Sequence, residues 1–206
     1  IFQRMTNYSI YRISETIRVL FFITLSIVVL QFYPITALMI VLLALLNDLP
    51  ILTISYDNVR YSSRPESWDM RILLIIATYI GIIGVASSFG LLLIGTQVLH
   101  LDSNTLQSFV YLKLSVAGHL CVFIARTKGP FWSIRPAWPL LLAVVVTQSI
   151  ATIITVYGIL LPSMGWLLAG IVWGYAFLMF LVQDAFKVVL YKYLIKRGLV
   201  RKGRLR

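Results

Sequence analysis

The sequence predicts an all-α polytopic membrane protein with six transmembrane helices and both termini cytoplasmic. Three observations predict it. Of its 206 residues, 60% are hydrophobic and 12% charged, against about half and about a quarter in a soluble domain, and mean hydropathy is +0.91. The apolar residues gather into six runs, each long enough for the roughly 20 residues that a bilayer crossing takes. Outside the spans, Lys and Arg fall at the two ends and in alternate connections only, the pattern that orients membrane helices with positive charge inside. Such a composition leaves no room for a folded aqueous domain, which excludes a nucleotide-binding or hydrolytic module within these residues. The single cysteine, Cys121, excludes an internal disulfide and a thiolate metal cage.

The six runs are expected at about 14–33, 35–55, 71–95, 106–125, 138–158 and 166–187. Residues 1–13 read as a cytoplasmic helical stalk leading into the first span; 1–12 lack the apolar core and cleavage site of a signal peptide. Phe32-Tyr33-Pro34-Ile35 makes a tight hairpin between the first two spans. The polar stretch 57–69, with Pro65, separates the second from the third. Residues 100–105 form a short polar connection, 127–136 carry Gly129 and two prolines, and Leu161-Pro162-Ser163 is a minimal turn. Within the spans, Ala77, Gly81, Gly84 and Ser88, and separately Gly170 and Gly174, are small residues at spacings that let helix backbones approach, read as ordinary bundle packing.

The stalk carries Arg4 and Arg12, the connection after the second span Arg60, Arg64 and Arg71, and the one after the fourth Arg126, Lys128 and Arg135. The other three connections carry neither Lys nor Arg. The net charge of +11 (18 Lys+Arg against 7 Asp+Glu) is therefore a topology signal. The basic tail, 191–206, orients the chain and attracts anionic lipid. The expected partner is the lipid bilayer, not nucleic acid.

Ionisable groups inside a span cost on the order of 2.5–3.5 kcal/mol to insert, so each is a functional candidate. Arg18, Asp48, Lys113, His119 and Asp184 qualify, with Glu15 at the margin. Asp184 and Lys187, three residues apart, read as an anchoring pair whose lysine reaches water. His119 reads as a hydrogen-bonded interior residue. Asp48 stands out through its neighbours Asn47 and Pro50: a mid-span proline leaves the Leu46 carbonyl without its helical donor. The expected result is a locally unwound helix, the kind of place where transporters put ion sites. A carboxylate there beside an asparagine suits a cation or a proton.

Counting from Pro34 at 1.5 Å per residue, Arg18 and Asp48 differ in depth by roughly 3 Å, so they are expected to be near neighbours. Arg18, which keeps its proton, would favour the Asp48 carboxylate while desolvation favours the acid. Glu15, one turn from Arg18 on the same face, competes for it.

Several stretches then resemble a known family. They are Ile1-Phe2-Gln3-Arg4-Met5-x-Asn7-Tyr8-x-Ile10-Tyr11, Thr16-Ile17-Arg18, Leu45-Leu46-Asn47-Asp48 and Thr53-Ile54-Ser55-x-Asp57-x-Val59, followed by Pro65-x-Ser67-Trp68, Tyr111-Leu112 and Asp184-x-Phe186-Lys187. Together they resemble the plasma-membrane proton-pumping P-type ATPases, from the fifth span of a ten-span pump to its C-terminus.

The resemblance implies that Asp48 is the carboxylate that binds and releases the proton and that Arg18 is the arginine that helps expel it, with Asn47, Pro50 and Glu15 in support. It implies that ATP and Mg2+ are used by domains outside these residues, so that this chain has no catalytic or metal-binding residues and does not itself hydrolyse ATP. The remaining N-terminal part of the pump would be its partner, and the plasma membrane its location. Leu49-Pro50 departs from the small residues that plant members often have after the Asn-Asp pair, and the tail is too short for their inhibitory C-terminal domain. The alternatives are a free-standing six-span protein acting as a passive pathway or assembly partner, and a pump for another monovalent cation. The latter fits less well beside a fixed positive charge, because hard cations take several oxygen ligands.

Overall fold

The computed structural model describes residues 2–59 and 69–198. They form α1 (Phe2–Leu30), α2 (Ala37–Thr53), α3 (Met70–Leu93), α4 (Ser103–Ala125), α5 (Trp138–Tyr157) and α6 (Gly165–Lys196), with no strand among them. All six are long and apolar enough to cross a membrane, as the six apolar runs predict. The even number returns the chain to the side it started from. Arg60, Arg64, Arg201, Lys202, Arg204 and Arg206, counted above as topology charges, lie outside the described residues.

Local chemistry sets the helix starts. The Thr36 hydroxyl accepts from Met39 N (3.3 Å), Asp69 from Arg71 N (3.0 Å) and Asp102 from Thr105 N (3.1 Å), each filling one of the first-turn donors a helix leaves open. Proline stands in the first turn of α5, where its missing N–H costs nothing, and Gly158 ends the helix at φ +74°, a left-handed conformation that suits glycine. α1 runs unbroken from Phe2, through the residues expected as a helical stalk and on into the first span, while α6 outruns its expected span to reach Lys196. α3 continues through a π-helical turn over Ile94–Val98.

α4 is the central helix. Its most apolar stretch is 83% buried, against 22–44% in the other five. α1 packs chiefly on α3, and α6 on α4. Of the small residues noted in the sequence, those on α3 do the expected work: a methyl added at Gly81 would lie 2.8 Å from Ile17. Gly170 and Gly174 do not; both face out of the bundle with nothing within 4 Å of where a Cβ would stand.

The buried apolar side chains divide into two clusters. One holds Phe22, Met39, Leu43, Leu91, Phe109 and Ala151; the other, toward the N-terminal end, holds Tyr11, Ile51, Ile80, Val122 and Leu140. Between them lies a polar layer to which five helices contribute: Glu15 and Arg18, Asn47, Ser88, His119, and Thr147 with Gln148, all buried. A buried polar side chain at membrane depth needs a partner, and most of these find one another.

Candidate functional site

Glu15 and Arg18 occupy successive turns on the buried face of α1 and are bonded to each other, Arg18 Nη2 donating to Glu15 Oε2. The same nitrogen donates to the Leu114 carbonyl of α4 (3.2 Å). From α2, Asn47 Nδ2 donates to the other carboxylate oxygen, Glu15 Oε1 (3.3 Å). Two glycines admit this assembly. A methyl added at Gly84 of α3 would lie 2.8 Å from Arg18 Cδ, and one at Gly118 of α4 would lie 3.0 Å from Arg18 Nη2 and 3.1 Å from Glu15 Oε1. All three distances are shorter than ordinary van der Waals contact, so the Arg18 side chain threads between two helices only because neither carries a side chain there.

Earlier on α4, Lys113 is buried and donates from Nζ to Ser88 Oγ, and Ser88 in turn donates to the Gly84 carbonyl (2.9 Å). On the opposite flank His119 is held from α5, its Nε2 2.9 Å from Thr147 Oγ1 and its Nδ1 2.6 Å from Gln148 Nε2. The ring also approaches the Leu46 carbonyl of α2. Three buried polar atoms of the layer have no hydrogen-bond partner: Arg18 Nε, Asn47 Oδ1 and Gln148 Oε1.

Asp48 is elsewhere. It lies next to Asn47, but a helix turns about 100° per residue, so with Asn47 inward Asp48 points out of the bundle. Its side chain is 60% exposed, and its ion-pair partner is Arg12, at 3.9 Å. The expected Arg18–Asp48 pairing therefore gives way to two others, Arg18–Glu15 and Arg12–Asp48. Depth arithmetic put Arg18 and Asp48 at one level without fixing how either helix is rotated, and rotation decides the pairing. Arg12 was missed as a participant; the signal available was its place in Arg12-x-x-Glu15-x-x-Arg18, a ladder of alternating charge along α1.

The expected unwinding at Pro50 is also corrected. α2 runs through Pro50 to Thr53 and passes into a single 3-10 turn, Ile54–Tyr56. The proline falls in the last turn of α2, where few hydrogen bonds remain to be lost.

Two further buried ion pairs close the N-terminal end of the bundle. Asp57, just past α2, takes a two-pronged bond from Arg126 at the end of α4 (Nε–Oδ2 2.7 Å, Nη2–Oδ1 2.9 Å) and accepts from Ala137 N (2.9 Å). Arg4 and Asn7 of α1 bond the backbone carbonyls of Asp57 and Arg126. Read in the sequence as a loop charge, Arg126 is instead a tie between four segments. Lys187 and Asp184 do pair (2.6 Å), but the lysine does not reach water: it is 1% exposed and donates to the Ile124 carbonyl and Thr127 Oγ1 (both 3.1 Å), while Asp184 accepts from Phe131 N (3.0 Å).

The layer thus offers one buried carboxylate, a permanent cation bonded to it and a carboxamide with an idle acceptor, sealed above and below by hydrocarbon. No protein-family model matches the chain. A protein of Methanocaldococcus jannaschii named "Putative cation-transporting ATPase" is 49% identical to it over 193 residues, 93% of this chain. The chain is thus a six-helix membrane protein related over nearly its whole length to a protein so named, of which it spans about a quarter, 24%.

Proposed function

We propose that the chain is the membrane-transport half of a P-type ATPase of the plasma membrane that exports protons, with Asp48 as proton acceptor and donor and Arg18, bonded to Glu15 in the state described, as the counter-charge that movement of the spans brings closer. ATP and Mg2+ would be handled by the remainder of the pump, whose movement would open the layer to one side and then the other.

The observation that carries this reading is the Arg18–Glu15–Asn47 cluster between two apolar clusters. An intramembrane charge pair marks an ion path by default. The donor set then favours the cargo: a hard cation takes six or more oxygen ligands, whereas here an arginine already holds the one buried carboxylate of the layer and repels a second cation. A proton needs a single oxygen. Asp48 supports the reading by its position, adjacent to Asn47 on the face of α2 that the six helices leave open.

The test uses the complete ATPase in sealed vesicles. Asp48→Asn is expected to abolish coupled proton transport, and transport at normal coupling in that variant overturns the assignment. Arg18→Ala is expected to transport poorly against a steep membrane potential; indifference to Arg18→Ala at every voltage removes Arg18 from the mechanism.

A further inference from the structure

We propose that Glu15 is a second proton-binding carboxylate of this path, protonated when Arg18 withdraws, and that Asn47 serves both of its states. The inference rests on the proton-transport reading and adds to it a residue on another helix from Asp48.

Glu15 is 7% exposed, and its carboxylate has two direct partners, the Arg18 guanidinium and the Asn47 amide. In the state described it is an anion matched to a cation. Motion that draws α1 from α4, or turns Arg18 out from between Gly84 and Gly118, would leave that anion buried and unpaired, a state whose cost is met by taking up a proton. One positive charge then replaces another: as Arg18 leaves, an O–H bond forms on a Glu15 oxygen with a proton delivered by the transport path, and the site stays neutral.

Asn47 is built for both forms. Its Nδ2 donates to the carboxylate now, while its Oδ1 is buried and has no partner. A protonated Glu15 gains a donor, and a turned Asn47 amide would present Oδ1 to it. An amide has both a donor and an acceptor; an apolar residue of the same size has neither. Arg18 Nε, likewise unpartnered, leaves the guanidinium a free donor for another acceptor once it departs.

The other groups around Glu15 do not take its place. From α1 it is faced by Tyr11 as well as Arg18, from α4 by Lys113 and Cys121. α2 brings Asn47 inward and Asp48 outward, and α3 brings Gly84 and Ser88. Lys113 is occupied by Ser88, and His119 by α5. Glu15 is therefore the carboxylate of the layer that can alternate between an arginine and a proton.

The test is infrared difference spectroscopy on the complete ATPase in lipid, comparing the resting enzyme with the enzyme turning over ATP. Two protonated-carboxyl components are expected in the unmodified protein. Asp48→Asn should lose one and Glu15→Gln the other; Asn47→Leu should shift the component that Glu15→Gln loses. If Glu15→Gln leaves every component in place, the inference is overturned while the proton reading stands. Should Glu15→Gln fail to fold around the orphaned Arg18, Glu15→Asp and the double variant Glu15→Gln/Arg18→Met carry the same test. The first must move the component and the second must lose it, and an unmoved component in Glu15→Asp overturns the proposal equally. Failure of the unmodified pump to move protons would instead overturn the reading on which the inference rests.

Discussion

Glu15→Gln should destabilise the protein far more than Asp48→Asn, and only the former should be coupled to Arg18. Glu15 and Arg18 side chains are 8% and 3% exposed and directly bonded. Removing one partner of such a pair leaves an unmatched buried charge, at a cost of about 3–5 kcal/mol, and Arg18 cannot escape it by losing its proton. Asp48 and Arg12 are 60% and 46% exposed and 3.9 Å apart, a geometry worth about 0–1 kcal/mol. Arg18→Met should cost less than Glu15→Gln, because the carboxyl it strands can take a proton. In a double-mutant cycle read from reversible unfolding in lipid, Glu15 and Arg18 should therefore couple by about 2–3 kcal/mol, and Asp48 and Arg18 by less than about 0.5 kcal/mol. A larger coupling for Asp48–Arg18 than for Glu15–Arg18 would refute the pairing on which the site is built.

Gly118→Ala sets about 1–3 kcal/mol of overpacking against Arg18 and Glu15 against the roughly 1 kcal/mol by which alanine outranks glycine in a helix. A net loss of about 0–2 kcal/mol is expected. Gly170→Ala, with open space around it, should instead gain up to about 1 kcal/mol, and equal midpoints of unfolding for the two variants would contradict the cradle. Arg126→Met should cost about 3–5 kcal/mol by stranding Asp57, measured the same way, and Arg126→Lys should not restore it because a point charge cannot supply the two-pronged bond. Asp102 lies outside the spans, and its bonds to Thr105, first the side chain and then the backbone, hold its carboxyl below the usual carboxylate value. A lowered value contributes stability above the ordinary carboxylate range and loses it as pH falls through the lowered one. Melting temperature followed into acid should show that loss, and Asp102→Asn should flatten it.

The six helices were legible because hydrocarbon thickness imposes a length and an apolar composition that no soluble context imitates. The helix starts at Thr36, Asp69 and Asp102 follow from ordinary capping chemistry. Legibility ended at rotation. Spacing put Glu15 and Arg18 on one face of α1 and depth put Asp48 near their level, but whether Asp48 meets that face depends on how α1 and α2 turn about their own axes, and that is fixed by packing on α3 and α4. Gly84 was visible as a small residue and Gly118 was not singled out, since nothing local tells that an arginine from another helix will pass between them. Pro50 was read by its intrinsic effect on a helix; its nearness to the helix end reduced that effect. Arg126 was assigned to topology because it borders a connection, although its partner Asp57 lies at the matching end of α2.

The central claim, that these helices move protons by way of Asp48 and the polar layer beside it, is tested most directly by ATP-driven acidification of sealed vesicles holding the complete ATPase, with organic cations replacing every inorganic one except the Mg2+ that accompanies ATP. The account predicts that the lumen acidifies at an undiminished rate in inside-out vesicles and that Asp48→Asn stops it. Acidification that appears only when Na+, K+ or Ca2+ is restored would contradict it.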